Sequence, residues 1–124
     1  MTTTSSRAQR DVFIIERFDT AADDIATRTP IAGDFIGVRP GPDRPDYCFI
    51  LLRDPIAVGG QWVRMLVVCA RLAGEQVTPT AKDLAVNVAL VRNDTAFRDP
   101  MLDFAKVEYV GVAYLTVVPA APVS

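Results

Sequence analysis

The run Leu84-Ala85-Val86-Asn87-Val88-Ala89-Leu90-Val91-Arg92 decides how this chain folds. Leu84, Val86, Val88 and Leu90 alternate with Ala85, Asn87 and Ala89, the period of two that a strand shows when one face lies in a core. Asn87 is the one strongly polar residue inside the alternation. The pattern favours placing it on the solvent side of a sheet; a ligand-binding donor inside a barrel is the alternative.

Towards the C-terminus, Asn93-Asp94 reads as a turn. Asp99-Pro100 resembles an N-cap followed by proline at the first helical position, with one or two turns running to Lys106. Val107 to Val118 reads as a long strand, with Gly111 marking a bulge or bend. Its edge is available, on this reading, to pair with a partner strand.

Towards the N-terminus, 74–82 is a loop containing Pro79. The segment 61–73 is ambiguous: Arg64 and Arg71 are seven apart, as on one helical face, but Val63, Val67, Val68 and Cys69 after Trp62 suit a buried strand better. Gly59-Gly60 supplies a turn. Tyr47 to Arg53 reads as a strand ended by Asp54-Pro55. Arg39-Pro-Gly-Pro-Asp-Arg-Pro-Asp46 carries three prolines and a glycine, so it is an exposed, stiff loop and neither a helix nor a central strand. Phe35 to Arg39 reads as a strand.

Asp19 to Thr29 is the best helix candidate, with Thr20 and Asp23 spaced as a capping box, Arg28 in the last turn and Pro30 as a stop. Its few apolar residues, Ala22, Ile25 and Ala26, place it on a surface. Val12 to Phe18 reads as a strand with Phe13 and Ile15 on one face and Val12, Ile14 and Phe18 on the other.

These elements predict a mainly β domain: about six mostly antiparallel strands in a sandwich or partly open barrel, with one short helix near residues 20–29. The expected organisation is a flexible polar tail over 1–10, a single globular domain over 11–118 and a C-terminal tail over 119–124. At 124 residues the chain is long enough to bury a core without staples.

Composition narrows the functions. The mean hydropathy of +0.22 is high for a chain of this size, which implies either a core filled from two sides or apolar surface that a partner covers. The longest uncharged stretch, Tyr109 to Ser124, is broken by Pro119 and Pro122, so no membrane span is expected. Met1 to Gln9 lacks the apolar run of a secretory signal, and the expected location is cytoplasmic, or the virion if the source is viral. The 13 basic residues are scattered among 15 acidic ones and form no basic stripe, which disfavours nucleic-acid binding. Local pairs are expected at Asp43-Arg44-Asp46, Arg53-Asp54, Arg98-Asp99 and Arg92-Asp94.

Catalytic signatures are missing. The chain has no histidine, which removes histidine-dependent triads and histidine-based zinc sites. Cys48 and Cys69 lie in apolar runs and read as buried thiols. No glycine-rich phosphate cradle is present. Asp99, Asp103 and Glu108, or Asp19, Asp23 and Asp24, could gather as carboxylate clusters, but capping and first-turn positions explain Asp99 and Asp23 without a metal.

The expectation is therefore a non-enzymatic structural or protein-interaction module, with no cofactor and no metal, that self-associates or joins a larger protein assembly. A homo-oligomer is expected; a viral or phage-type component is one setting, by analogy alone. Candidate interface residues are Arg39, Asp43 and Arg44 of the proline-rich loop, with Trp62, Tyr109 and Tyr114. Trp62 suits either an interface anchor or a core position at a strand start. The alternatives are a small-ligand-binding β-barrel with an internal cavity and, behind it, a carboxylate-dependent enzyme.

Overall fold

The computed structural model describes residues 10–21, 24–72, 74–92 and 95–120. Its strands are β1 (Val12–Ala21), β2 (Ile31–Arg39), β3 (Tyr47–Val58), β4 (Gln61–Ala70), β5 (Leu84–Val91) and β6 (Val107–Val118). A 3-10 turn, Asp24–Arg28, links β1 to β2. A four-residue helix α1 (Thr95–Arg98) and a second 3-10 turn, Phe104–Lys106, lie between β5 and β6.

Each strand pairs antiparallel with its neighbour in sequence, and β6 returns to pair with β1 from Val12↔Val118 to Ala21↔Gly111. The sheet is thus a closed six-stranded meander. Closure corrects the expectation of an available β6 edge, because that strand is laddered to β5 on one side and β1 on the other. No helix among the described residues is long and apolar enough to cross a membrane.

The alternation in β5 works as expected: Val86, Val88 and Leu90 are fully buried inside the barrel, with Leu84 packed against the same cluster. Phe13, Ile15, Ile50, Leu66, Leu115 and Val117 fill the interior from other strands. The ambiguous segment 61–73 is strand as far as Ala70. Gly59 and Gly60, both at positive φ (59° and 79°), make the tight turn between β3 and β4 that side chains with a Cβ disfavour.

Four local expectations need correction. The helix near residues 20–29 is instead a continuation of β1 followed by the 3-10 turn. Thr20 pairs with Val112, which leaves too few residues before Pro30 to nucleate an α-helix; Asp23 lies outside the described residues. Ile25, one of the few apolar residues of this segment, is fully buried in the barrel interior. Phe18 also packs against the interior, because register shifts after Ile15 and after Phe18 break the simple alternation of β1. β3 runs on through Asp54-Pro55, where the ladder skips from Leu51 to Ile56, a bulge that tolerates a proline.

The fourth correction concerns the segment after β5. Asp99-Pro100 follows α1 and does not start a helix; because proline disfavours helical geometry in the residue before it, the pair instead ends α1 at Arg98. The cap role falls to Asp103, whose side chain accepts from the Ala105 amide at 2.9 Å. From Thr95 to Lys106 the chain forms a strap over the outer faces of β3 and β4. There Ala96 and Leu102 bury Phe49 and Val67 in a second apolar cluster. The Phe97 ring packs on Phe49 at 5.2 Å, Phe104 meets Tyr47 edge-on at 5.4 Å, and the Leu102 amide donates to the Pro40 carbonyl at 2.6 Å. Burial on both faces of these strands accounts for much of the high hydropathy.

Candidate functional site

The outer face of the barrel carries a groove where the strap stops short. On β4, Val67 and Cys69 are two positions apart, and Arg71 follows two further on, just past the end of the strand, its amide donating to the Ala85 carbonyl at 2.9 Å. On β5, Ala89 stands opposite Val67, and Asn87 opposite Cys69. Tyr109 stands opposite Ala89 on β6. Alanines on β5 leave a furrow between the larger side chains on either side. Leu102, Phe104 and Val107 of the strap and β6 complete a hollow of about 320 Å³.

A second hollow of about 440 Å³ continues from it, sharing Tyr47, Cys69 and Asn87. Its walls are Asp43 to Asp46 of the proline-rich loop and Gly74 to Gln76, with Arg71 between them. The first hollow is lined mainly by apolar side chains; the second is charged. Asn87 sits at their junction.

Most polar groups in the charged half are already engaged. Arg44 donates from Nε and Nη2 to the Asp46 carboxylate, the latter at 2.9 Å, from Nη1 to the Ala70 carbonyl, and from Nη2 to the Glu75 carbonyl at 3.0 Å. It therefore ties the loop to β4 and to the 74–76 wall. The hydrogen bond to Asp46 raises the pKa of its guanidinium further. The Tyr47 hydroxyl donates to Asp43 Oδ1, and burial followed by that bond raises the phenol pKa. Arg71 is exposed and has no ion pair among the described residues.

Asn87 Nδ2 approaches Cys69 Sγ at 3.9 Å, a weak contact for both groups. Burial raises the Cys69 thiol pKa against the lowering effects of Arg44 and the Asn87 contact. Cys48 lies in the barrel interior and Cys69 in the outer cluster, so the sheet separates the two thiols. A neutral, buried thiol is a poor nucleophile.

The candidate interface residues divide among several places. Asp43 and Arg44 wall the charged hollow and Tyr109, 59% exposed, walls the apolar one. Arg39 is engaged by the strap, donating from Nε to the Phe97 carbonyl at 2.8 Å. Tyr114 is half-buried beneath Arg17, whose guanidinium carbon stands 4.3 Å from its ring centre and which also pairs with Asp83 at 2.9 Å. Trp62 lies beside the Gly59-Gly60 turn at the opposite end of β4 from Arg71. It is 74% exposed, which settles its position as surface and not core.

The carboxylates do not converge. Asp99 pairs with Lys106 at 2.6 Å, Asp103 caps the 3-10 turn, and Glu108 pairs with Arg92 at 2.8 Å. Among the described residues no three ligand-type side chains are grouped to hold a metal ion. Of the local pairs read from sequence, Arg44–Asp46 forms, whereas Arg53 pairs across the sheet with Asp34 and Asp99 pairs with Lys106; Arg92 pairs with Glu108, and Asp94 lies outside the described residues.

Asn87 lies outside the barrel, at the groove, and not within it. Tyr47, Cys69, Arg71 and Phe104 were not identified from sequence as groove residues. The signal available was the matched alternation of Val67-x-Cys69-x-Arg71 with Ala85-x-Asn87-x-Ala89, once the two strands are known to be neighbours. No protein family, curated protein or solved structure matches this chain.

Proposed function

We propose that this protein is a non-enzymatic interaction module that self-associates through side chains on the outside of its barrel. The observation that carries this reading is Trp62, 74% exposed in a chain that has one tryptophan. Its cross-strand partner is Ala57, so the indole has a small neighbour and stands clear of the sheet. An exposed tryptophan is the side chain most suited to anchor a protein interface, because it buries a large area at small conformational cost.

Closure of the sheet limits the mode of association. With both sides of β6 paired, strand addition there is blocked, and contacts fall to side chains such as Trp62. The engaged carboxylates and protonated thiols support the non-enzymatic part of the proposal.

Light scattering coupled to size-exclusion chromatography across a concentration series tests it. The wild type should shift from monomer to a defined oligomer. Trp62→Ala should keep its circular dichroism and weaken association by about 30-fold, the value for a hot spot of ~2 kcal/mol. A wild type that stays monomeric at every concentration refutes self-association. A variant that associates equally well removes Trp62 from the interface.

A further inference from the structure

We infer that the outer groove is a binding site for a small apolar carboxylate, its hydrocarbon body lying over Ala89 between Phe104 and Tyr109 and its carboxylate at Arg71. This inference is independent of the Trp62 surface, which lies at the other end of β4.

The groove changes character along one line. Val67 and Cys69 lie on β4 and Arg71 just past its end, so the groove passes from aliphatic to weakly polar to cationic over ~13 Å, four residues of extended chain. The apolar hollow, about 320 Å³, lies at the small end of the range for ligand pockets of roughly 300–1,000 Å³. Its outer wall is Tyr109, at 59% exposure, and Phe104, at 44%, both of which a hydrocarbon chain would cover.

Charge selects the head group. Arg44 has its guanidinium taken up by Asp46 and two backbone carbonyls. Arg71 has no ion pair among the described residues and lines the charged hollow together with Cys69 and Asn87, which also line the apolar one, and its planar fork suits a carboxylate. Asn87 stands between body and head, and its close polar neighbour is a weak sulfur acceptor, which leaves amide protons for a carboxylate oxygen. Asp43 and Glu75 also wall the charged hollow and would favour an amine. The Asp43 carboxylate accepts from the Tyr47 hydroxyl, and both acids belong to the loops and not to the strand floor. The sign of the ligand is therefore the point to test.

Decanoate, decanol and decylamine share one hydrocarbon body and differ in head group. Titrating each into the full chain by calorimetry, with amide chemical shifts recorded in parallel, should show saturable decanoate binding. The shifts should centre on Asn87, Ala89, Phe104, Tyr109 and Arg71. Decanol and decylamine should bind at least about tenfold more weakly, as should decanoate to Arg71→Ala, while Arg71→Lys recovers part of the loss. Ala89→Leu, which fills the apolar half, should abolish binding, and Trp62→Ala should leave it unchanged. The proposal is overturned if decanoate does not saturate, if decylamine binds more tightly, if Arg71→Ala binds decanoate as the wild type does, or if the shifts map elsewhere.

Discussion

Arg39 holds Phe97 by two contacts at once: its guanidinium carbon stands 4.4 Å from the centre of the ring, and its Nε donates to the Phe97 carbonyl oxygen at 2.8 Å. β2 thereby grips the strap at the point where Phe97 packs on Phe49, and the strap forms one wall of the groove. Proline-rich sequence on one side and a four-residue helix on the other have little structure of their own. Their order comes from contacts of this kind. We expect Arg39→Ala to cost about 2 kcal/mol, the sum of a partly exposed cation–π contact and one charge-assisted hydrogen bond. Urea denaturation should show the loss. Hydrogen exchange should speed up first in 95–106, ahead of the barrel strands.

The buried thiols make stability fall in alkali. Burial pushes the Cys48 pKa from 9.0 up to about 12 and raises those of Cys69 and Tyr47 as well. A group whose pKa is raised on folding binds its proton more firmly in the native state. Its contribution is complete below the unfolded value and is lost as pH rises towards the folded one. For Cys48 that window runs from about 9 to about 12, with a limiting slope near 1.4 kcal/mol per pH unit. Cys48→Ala should flatten this limb relative to the wild type. At pH 8 the Cys48 thiol is ionised in roughly one molecule in 10,000, and burial also raises the Cys69 pKa, so a disulfide reagent should label neither cysteine quickly in the native protein. In Arg39→Ala, Cys69 should become reactive before Cys48, since the strap covers one and the barrel encloses the other. Equal labelling rates would show that the strap does not shield Cys69.

Much of the sheet is legible along the chain because its signals are local. The alternation of β5 names its inner residues, and the bounds Val107–Val118 of β6 follow from a long apolar run ended by proline. What escapes is whatever depends on a distant partner. The capping residues at Thr20 and Asp23 suggest a helix, yet Thr20 is drawn into β1 by Val112, more than ninety residues away. Closure itself has no local mark, since β1 and β6 meet only once the whole meander is in place. Trp62 could not be assigned to a face because it follows a two-glycine turn, where alternation has barely begun. The groove was hidden for the same reason. Asn87 is visible as a polar interruption, but its walls arrive from the strap, positioned by the hydrogen bond from Leu102 to Pro40.

Gly33 is a position where the narrowness of a six-stranded barrel can be measured directly. It faces inward on β2, directly opposite Phe13, whose ring stacks on Phe35 at 5.3 Å. A Cβ on Gly33 would press into the Ile50 side-chain methyl Cγ2 and stand 2.9 Å from the Leu51 carbonyl oxygen. In most strands alanine is better than glycine, because it loses less backbone entropy on folding. Here overpacking should win, and Gly33→Ala should destabilise the protein by about 1–3 kcal/mol. Ile50→Leu removes the branch at Cβ while keeping the volume, so it should relieve part of the clash. The double variant should then be more stable than the sum of the two single losses implies, a coupling that a double-mutant cycle in urea would read. Strictly additive losses would mean that the Leu51 carbonyl, and not Ile50, sets the limit at this position.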